Sequence, residues 1–163
     1  MRLACAGIAA WSMCSAGATA AQRPPADAAA APVHVAAVFY RWYVAKYRSD
    51  HDPMFELRAE SMGSVSTALL DESDAQMSAS PSDLDYFLQA DDAIRPCHSV
   101  DAALLRSTRD GAQVGVTLGS RKAAPWRVRV WLSKEGGAWR IRQFARDALR
   151  PPAAAAKRAL SDC

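Results

Sequence analysis

The sequence has few of the residues that build reactive or metal-binding sites. Its 163 residues include only four cysteines and three histidines. It contains no C-x-x-C or H-x-x-x-H pair, no G-x-S-x-G motif and no glycine-rich loop before a helix, so motifs for zinc, serine nucleophiles and phosphate loops are all absent. Beyond the first residues, no apolar run reaches the roughly 20 residues that a membrane-spanning helix needs. We therefore expect no metal, no cofactor and no stable membrane insertion.

The N-terminal residues have the layout of a secretory signal peptide over residues 1–20. Arg2 supplies a positive start, an apolar stretch covers Leu3–Met13, and Ala18–Ala20 supplies small residues at the exit. Cleavage near Ala20 predicts a periplasmic or secreted mature protein. No cysteine stands at the exit where lipid attachment requires one, so a lipid anchor is not expected.

Export affects the interpretation of the cysteines, because an oxidising compartment favours disulfides over free thiols. Cys5 and Cys14 lie in the leader, which leaves Cys97 and Cys163 in the mature chain. A bridge between them would close a loop of roughly 66 residues and stabilise the fold by about 4 kcal/mol in the chain-entropy model. The alternative is a free Cys163 at the end of a mobile, alanine-rich tail, and the sequence leaves both open.

Composition divides the mature chain into a spacer, one domain and a tail. Residues 21–31 are mostly alanine and proline without apolar periodicity, which predicts a flexible spacer. Residues 32–149 have the length of a single hydrophobic core. Residues 150–163 begin with Arg-Pro-Pro and continue in alanines, which predicts a C-terminal tail outside the domain.

The first part of the predicted domain has helical periodicity. Apolar and aromatic residues recur at steps of three and four over Val33–Arg48, which predicts a helix with one aromatic face. A second helix is predicted over Phe55–Leu70 and an acidic loop over Asp71–Pro81. A capping-box variant then predicts a short helix over residues 83–90.

The second half changes to a period of two, which indicates strands. Residues 113–118 and 127–132 alternate apolar with other side chains, and residues 139–142 repeat the pattern after a Glu-Gly-Gly turn. Together with residues 102–108, these segments predict a four-stranded antiparallel meander. Helices followed by a meander give an α+β order.

Three segments resemble the nuclear-transport-factor-2-like superfamily. They are the aromatic helix Val38–Val44, the mid-chain segment Asp85–Asp92 and the closing strands Val128–Ile141. Within that superfamily the chain is most similar to exported bacterial domains of unknown function. The resemblance implies N-terminal helices packed on a curved four-stranded antiparallel sheet, a cystatin-like cone with a pocket at its mouth.

Some enzymes of that superfamily, dehydratases and ketosteroid isomerases, use acids inside the cone, where burial raises a carboxyl pKa until the group acts as an acid or base. Asp85 and Tyr86 are the catalytic candidates here, although neither aligns with a catalytic position of those enzymes. Adjacent Tyr86 and Phe87 fit a structural use better, with one ring in the core and one near its edge. We therefore favour a non-enzymatic domain, with a lyase or isomerase that uses Asp85 as base as an alternative.

Charge is split between the two halves of the chain. From Asp50 to Asp101 there are twelve acids and two bases, whereas from Arg121 to Arg158 there are eleven bases and two acids. Alternation in the predicted strands places four arginines on one sheet face, with Phe144 nearby. The predicted binding residues are Arg127, Arg129, Trp131, Arg140 and Arg142.

That arginine face suits an anionic partner, such as an acidic protein surface, a toxin or an anionic lipid surface. Arg and Trp are the residue types that dominate interface hot spots, which favours a protein. Nucleic acid is not expected after export. Two other interpretations stay open: the acidic half of the same molecule covers the face, or two copies form a homodimer through it.

The leading functional hypothesis is an exported binding domain that engages a protein partner or a small ligand through its sheet face or the mouth of the cone. A sharper version is an immunity-type protein, which neutralises a secreted toxin by occluding the toxin's site.

Overall fold

An aromatic helix opens the described part of the chain and packs against a four-stranded sheet. The computed structural model describes residues 26–49, 53–60, 63–79, 84–91 and 94–163. Its elements are α1 Ala26–Arg48, α2 Pro53–Glu60, α3 Thr67–Ala79, β1 Leu84–Asp85, β2 Ala90–Asp91, β3 Val100–Ser107, β4 Gly111–Leu118, β5 Trp126–Glu135, β6 Ala138–Arg146 and α4 Ala153–Ala159. None of the described helices has the length and hydropathy to cross a membrane. The predicted signal peptide lies outside the described residues.

The face of α1 that meets the sheet is aromatic. Phe39, Tyr40 and Tyr43 are buried, and the Tyr40 hydroxyl donates a 3.0 Å hydrogen bond to the carbonyl oxygen of Phe87. The helix begins at Ala26, so the end of the predicted spacer is helical. Alanine has the highest helix propensity, and the four alanines before residue 32 therefore extend the helix towards its N-terminus.

The predicted four-stranded antiparallel meander is confirmed. The strands pair in chain order, β3-β4-β5-β6. Val114 and Val116 of β4 and Val128 and Val130 of β5 are fully buried and form the core with the aromatic face of α1. The α+β fold class is confirmed, with helices in the N-terminal region and an antiparallel sheet after them.

Residues 53–79 form two helices, where the sequence predicted one helix followed by a loop. After α2 ends at Glu60, Gly63 adopts a positive φ of 67°, a conformation that glycine tolerates best. The acidic stretch that was expected to be a loop is the body of α3. Its acids Asp71 and Asp74 pair with Arg58 of α2 at 2.7 and 2.6 Å. These contacts between the two helices favour a helix where the polar composition alone predicts a loop.

A tight turn at residues 84–91 replaces the short helix that the sequence predicted there. Strands β1 and β2 pair antiparallel on either side of it. The Asp85 carboxylate accepts hydrogen bonds from the backbone N–H groups of Phe87 and Leu88 at 3.0 and 2.6 Å, the bonding of an Asx turn. Gln89 has a positive φ of 54°, which a right-handed helix excludes. An acid that caps a helix and an acid that closes a turn make the same local bonds, so the pattern alone did not separate them.

The C-terminal residues pack on the sheet instead of forming a separate tail. Cys97 and Cys163 form a disulfide with their Cα atoms 5.0 Å apart, which is one of the two alternatives that the sequence left open. Helix α4 contacts β3 and β4, and its Ala159 is fully buried. A Cβ atom at Gly119 would lie 2.5 Å from the Ala159 carbonyl oxygen, so only glycine allows this approach.

Candidate functional site

One face of the sheet is turned away from α1, and we call it the outer face. A row of side chains crosses all four strands on this face, because Arg106 pairs with Gln113, Gln113 with Trp131, and Trp131 with Gln143. Helix α4 reaches the far end of β3, where its Arg158 lies 2.5 Å from the Asp101 carboxylate.

The five predicted binding residues lie close together on the β5–β6 hairpin. Arg127, Arg129 and Trp131 alternate along β5, and Arg140 of β6 pairs with Ser133 on the same face. Arg142 is the extra residue of a β-bulge, because Trp131 pairs with Gln143 and Leu132 pairs with Ile141, so no residue of β5 lies opposite Arg142. Its side chain is 48% exposed.

The expectation that Phe144 lies beside the arginines is wrong. The bulge shifts the alternation of β6 by one residue, so Phe144 pairs with Val130 on the inner face. Its ring centroid lies 4.8 Å from that of Phe87 and 4.9 Å from that of Tyr86. Phe144 therefore belongs to the core and not to the candidate binding surface.

Asp147 holds two arginines at one end of the outer face. Its side chain is 2% exposed and lies 2.7 Å from Arg127 and 3.1 Å from Arg129. Burial by itself raises the pKa of Asp147, but hydrogen bonds from the Leu149 N–H and the two arginines outweigh burial and lower it. Arg127 is only 12% exposed, whereas Arg129 is 35% exposed and places its Cζ atom 6.0 Å from the Trp131 ring centroid.

Glu135 orders the other two arginines. Its carboxylate lies 2.6 Å from Arg142 and 3.8 Å from Arg140, and Arg140 also donates to the Gly63 carbonyl oxygen. Among the described residues, the carboxylates paired with the four arginines are Glu135 and Asp147, and neither belongs to the acidic half of the chain. The described residues form no ion pair between these four arginines and an acid of residues 50–101. They therefore give no support to the interpretation that the acidic half covers the arginine face.

A cavity of about 220 Å³ opens beside Trp131. Arg106, Thr108 and Gln113 line it together with Trp131. Arg106 is not among the predicted binding residues, because simple alternation in β3 places it on the inner face, with Leu104. A register shift between these two residues turns Arg106 to the outer face instead, and the sequence carries no pattern that marks this shift.

The catalytic candidates Asp85 and Tyr86 lie in the turn between β1 and β2, apart from the arginine cluster. The Asp85 carboxylate accepts a 2.9 Å hydrogen bond from the Tyr43 hydroxyl in addition to the two backbone bonds of the turn. The Tyr86 ring packs edge-on against Phe144, and burial, followed by the nearby charge of Glu72, raises the pKa of Tyr86. These contacts give both residues a structural use in closing the core.

No protein-family model and no characterised protein sequence matches this chain. Solved structures similar to it include two of the type VI effector-immunity complex Tae3-Tai3 from Ralstonia pickettii. The selenomethionine form aligns with a TM-score of 0.57 and 23% identity, covering 74% of this chain and 99% of that chain. The native form gives 0.55 and 21%, covering 75% and 98%. At this identity the similarity shows a shared fold, and the resemblance to nuclear-transport-factor-2-like domains stays a prediction.

Proposed function

We propose that this chain is an exported immunity-type protein that binds a secreted toxin through its outer face and so occludes the toxin's site. The observation that carries the proposal is the arrangement of that face, where Trp131 and three partly exposed arginines stand on one hairpin. The similarity in fold to a chain of an effector-immunity complex supports the same reading. The predicted signal peptide would take the protein to the periplasm, and we propose that it meets the toxin there.

The arginines of this face are held in place before any partner arrives. Arg129 is bonded to buried Asp147 and lies against Trp131, while Arg142 is bonded to Glu135. A side chain that is already ordered loses little conformational entropy on binding, so more of the interaction energy appears as affinity. A guanidinium also has five N–H donors, and one carboxylate contact leaves others for an acidic partner.

The cavity beside Trp131 gives the proposed interface an anchoring point. Interface hot spots are residues, usually with large side chains, that fill well-packed pockets and are surrounded by contacts that exclude water. A volume of about 220 Å³ accommodates a single side chain of a partner. Arg106 at its edge favours a partner side chain that is acidic or that carries a hydrogen-bond acceptor.

Catalysis is less well supported than binding. Cys97 is bonded to Cys163, so neither sulfur is a free nucleophile while the bridge is intact. The Asp85 carboxylate accepts three hydrogen bonds from the protein, one from Tyr43 and two from the turn. These bonds engage the carboxylate in closing the turn and in holding Tyr43 of α1, which is a structural use.

Capture from a periplasmic extract with the wild-type chain and with Arg129→Glu/Arg142→Glu tests the proposal. We expect the wild type to retain one secreted protein, encoded by a neighbouring gene, and the variant to bind it at least about 100-fold more weakly, because like charges then oppose the acidic partner. Arg142→Glu alone leaves the Asp147 cluster intact and should still weaken binding. The matched control, Arg41→Glu/Arg150→Glu, makes the same charge change at exposed positions outside the predicted binding residues.

Circular dichroism confirms that each variant is folded before capture is compared. Equal retention of the partner by the variant and the wild type would remove the outer face from the proposal. Light scattering tests the alternative that this face forms a homodimer. A wild-type dimer that Arg129→Glu/Arg142→Glu converts to a monomer would make this face a homodimer surface.

A further inference from the structure

A second cavity, of about 400 Å³, lies beside the disulfide and shares no lining residue with the one next to Trp131. Four cationic side chains line it, although they come from distant parts of the sequence. Arg48 ends α1, Arg95 precedes β3, and Arg121 and Lys122 follow β4. The fold therefore concentrates positive charge at a place that no local run of sequence identifies.

One acid, Asp162, also lines this cavity, and its charge is already in use. Its carboxylate accepts a 2.9 Å hydrogen bond from the Ser99 backbone N–H. Burial alone raises the pKa of Asp162, but the bonds from Ser99 and the nearby His98 lower it overall. Arg48, Arg121 and Lys122 by themselves outnumber this one acid, so the lining keeps a surplus of positive charge.

Several donors in this cavity have no acceptor in the described part of the chain. Arg48 donates one Nη–H to the Pro96 carbonyl oxygen at 2.6 Å, but its Nε–H is buried without a hydrogen-bond partner. The exposed side chains of Arg121 and Lys122 make no hydrogen bond or ion pair with other described residues. A buried donor without an acceptor destabilises a fold, and an anion in the cavity would supply the missing acceptor.

We infer that this cavity binds a small soluble molecule through a phosphate group. Guanidinium and ammonium groups around one space suit a compact dianion with several oxygens, and a phosphate monoester carries close to two negative charges at neutral pH. The volume accommodates the phosphate together with a small organic group. This inference does not rest on the proposed toxin-binding function, because the two sites share no residue.

Titration of the wild-type protein with inorganic phosphate, followed by calorimetry and by thermal unfolding, tests the site. The same titration with chloride at equal ionic strength is the reference. Phosphate should raise the midpoint of unfolding where chloride does not, because a ligand that binds only the folded chain stabilises it. Arg121→Gln/Lys122→Gln should bind phosphate at least about tenfold more weakly, since each charge-assisted hydrogen bond is worth a tenfold change or more. Arg41→Gln/Lys157→Gln removes one arginine and one lysine elsewhere on the surface and should leave the affinity unchanged.

Each of three results overturns the inference. The first is a wild-type phosphate response no larger than the chloride response, and the second is an equal phosphate response in the two double variants. The third is binding to vesicles that contain phosphatidic acid without a response to inorganic phosphate, which would assign the cationic cluster to a membrane surface. Arg121→Gln alone keeps the test available if the double variant folds poorly, and it should weaken phosphate binding by a smaller factor.

Discussion

Loss of the disulfide lowers the free energy of unfolding by about 4 kcal/mol, because the reduced chain regains the entropy of a long loop. The bridge joins Cys163 to Cys97, across a sequence separation of 66 residues. Other contacts that hold α4 are its buried alanines and the ion pair between Arg158 and Asp101, whose arginine is 62% exposed. Exposed ion pairs contribute little. We therefore expect α4 to leave the sheet first when the bridge is broken.

Urea unfolding of the wild type with and without dithiothreitol measures this effect. The variant Cys97→Ser/Cys163→Ser should unfold at the midpoint of the reduced wild type and should not respond to the reductant. Coincident midpoints for oxidised and reduced wild type would show that the bridge does not stabilise the fold.

Asp147→Asn removes about 3 kcal/mol or more of stability, the range for breaking a buried ion pair by deleting one partner. Arg127 is left largely buried without its carboxylate, and Arg129 loses the contact that orients it. Asp110→Asn is the matched control, since this acid is exposed in the β3–β4 turn. Urea unfolding at neutral pH should separate the two variants, and equal stability would contradict the structural importance of the Asp147 cluster.

The same carboxylate sets part of the pH dependence of stability. Because the pKa of Asp147 is lower in the folded chain than its usual 3.8, its contribution is complete above that usual value and is lost as the pH falls through the lowered one. The wild type should therefore lose stability more steeply than Asp147→Asn between about pH 5 and pH 2. Asp162, whose pKa is also lowered, acts in the same direction in both proteins and cancels in the comparison. Parallel stability curves for the two proteins would contradict this assignment.

The sheet was predictable because β4 and β5 alternate apolar with other side chains and the β3–β4 and β5–β6 turns are short. Alternation fixes which side chains face the helices, and Val128, Val130 and Leu132 are buried as it requires. Alternation is a local property, so the sequence is sufficient to predict it. The disulfide was one of two alternatives that the sequence left open, and the structure contains the bridged one.

Two bulges account for the errors on the binding surface. One exchanges Phe144 for Gln143 on the outer face, and the other brings in Arg106. An extra residue in one strand is stabilised by pairing with the neighbouring strand, so neither strand by itself indicates where it lies. The strands that form the outer face were predictable, but the residues that lie on it depend on the register in which the strands pair.

The helical half was less predictable because contacts between distant residues decide it. The acidic stretch of α3 is helical while its acids face Arg58, a residue of another helix. The turn at Asp85 is favoured over a helix because it buries Phe87 and Leu88. The cationic cavity was not predictable for the same reason, because its lining residues come from segments that are far apart in the sequence.

The central claim is that the outer face binds a partner protein, and hydrogen–deuterium exchange of the chain with and without the captured partner tests it most directly. The account predicts slower exchange in the β3–β4 turn, the β5–β6 hairpin and the edge strand β6 on binding, with α1 to α3 unchanged. Protection confined to the helices, or to the segments around Cys97 and Gly119 beside the cationic cavity, would contradict the claim.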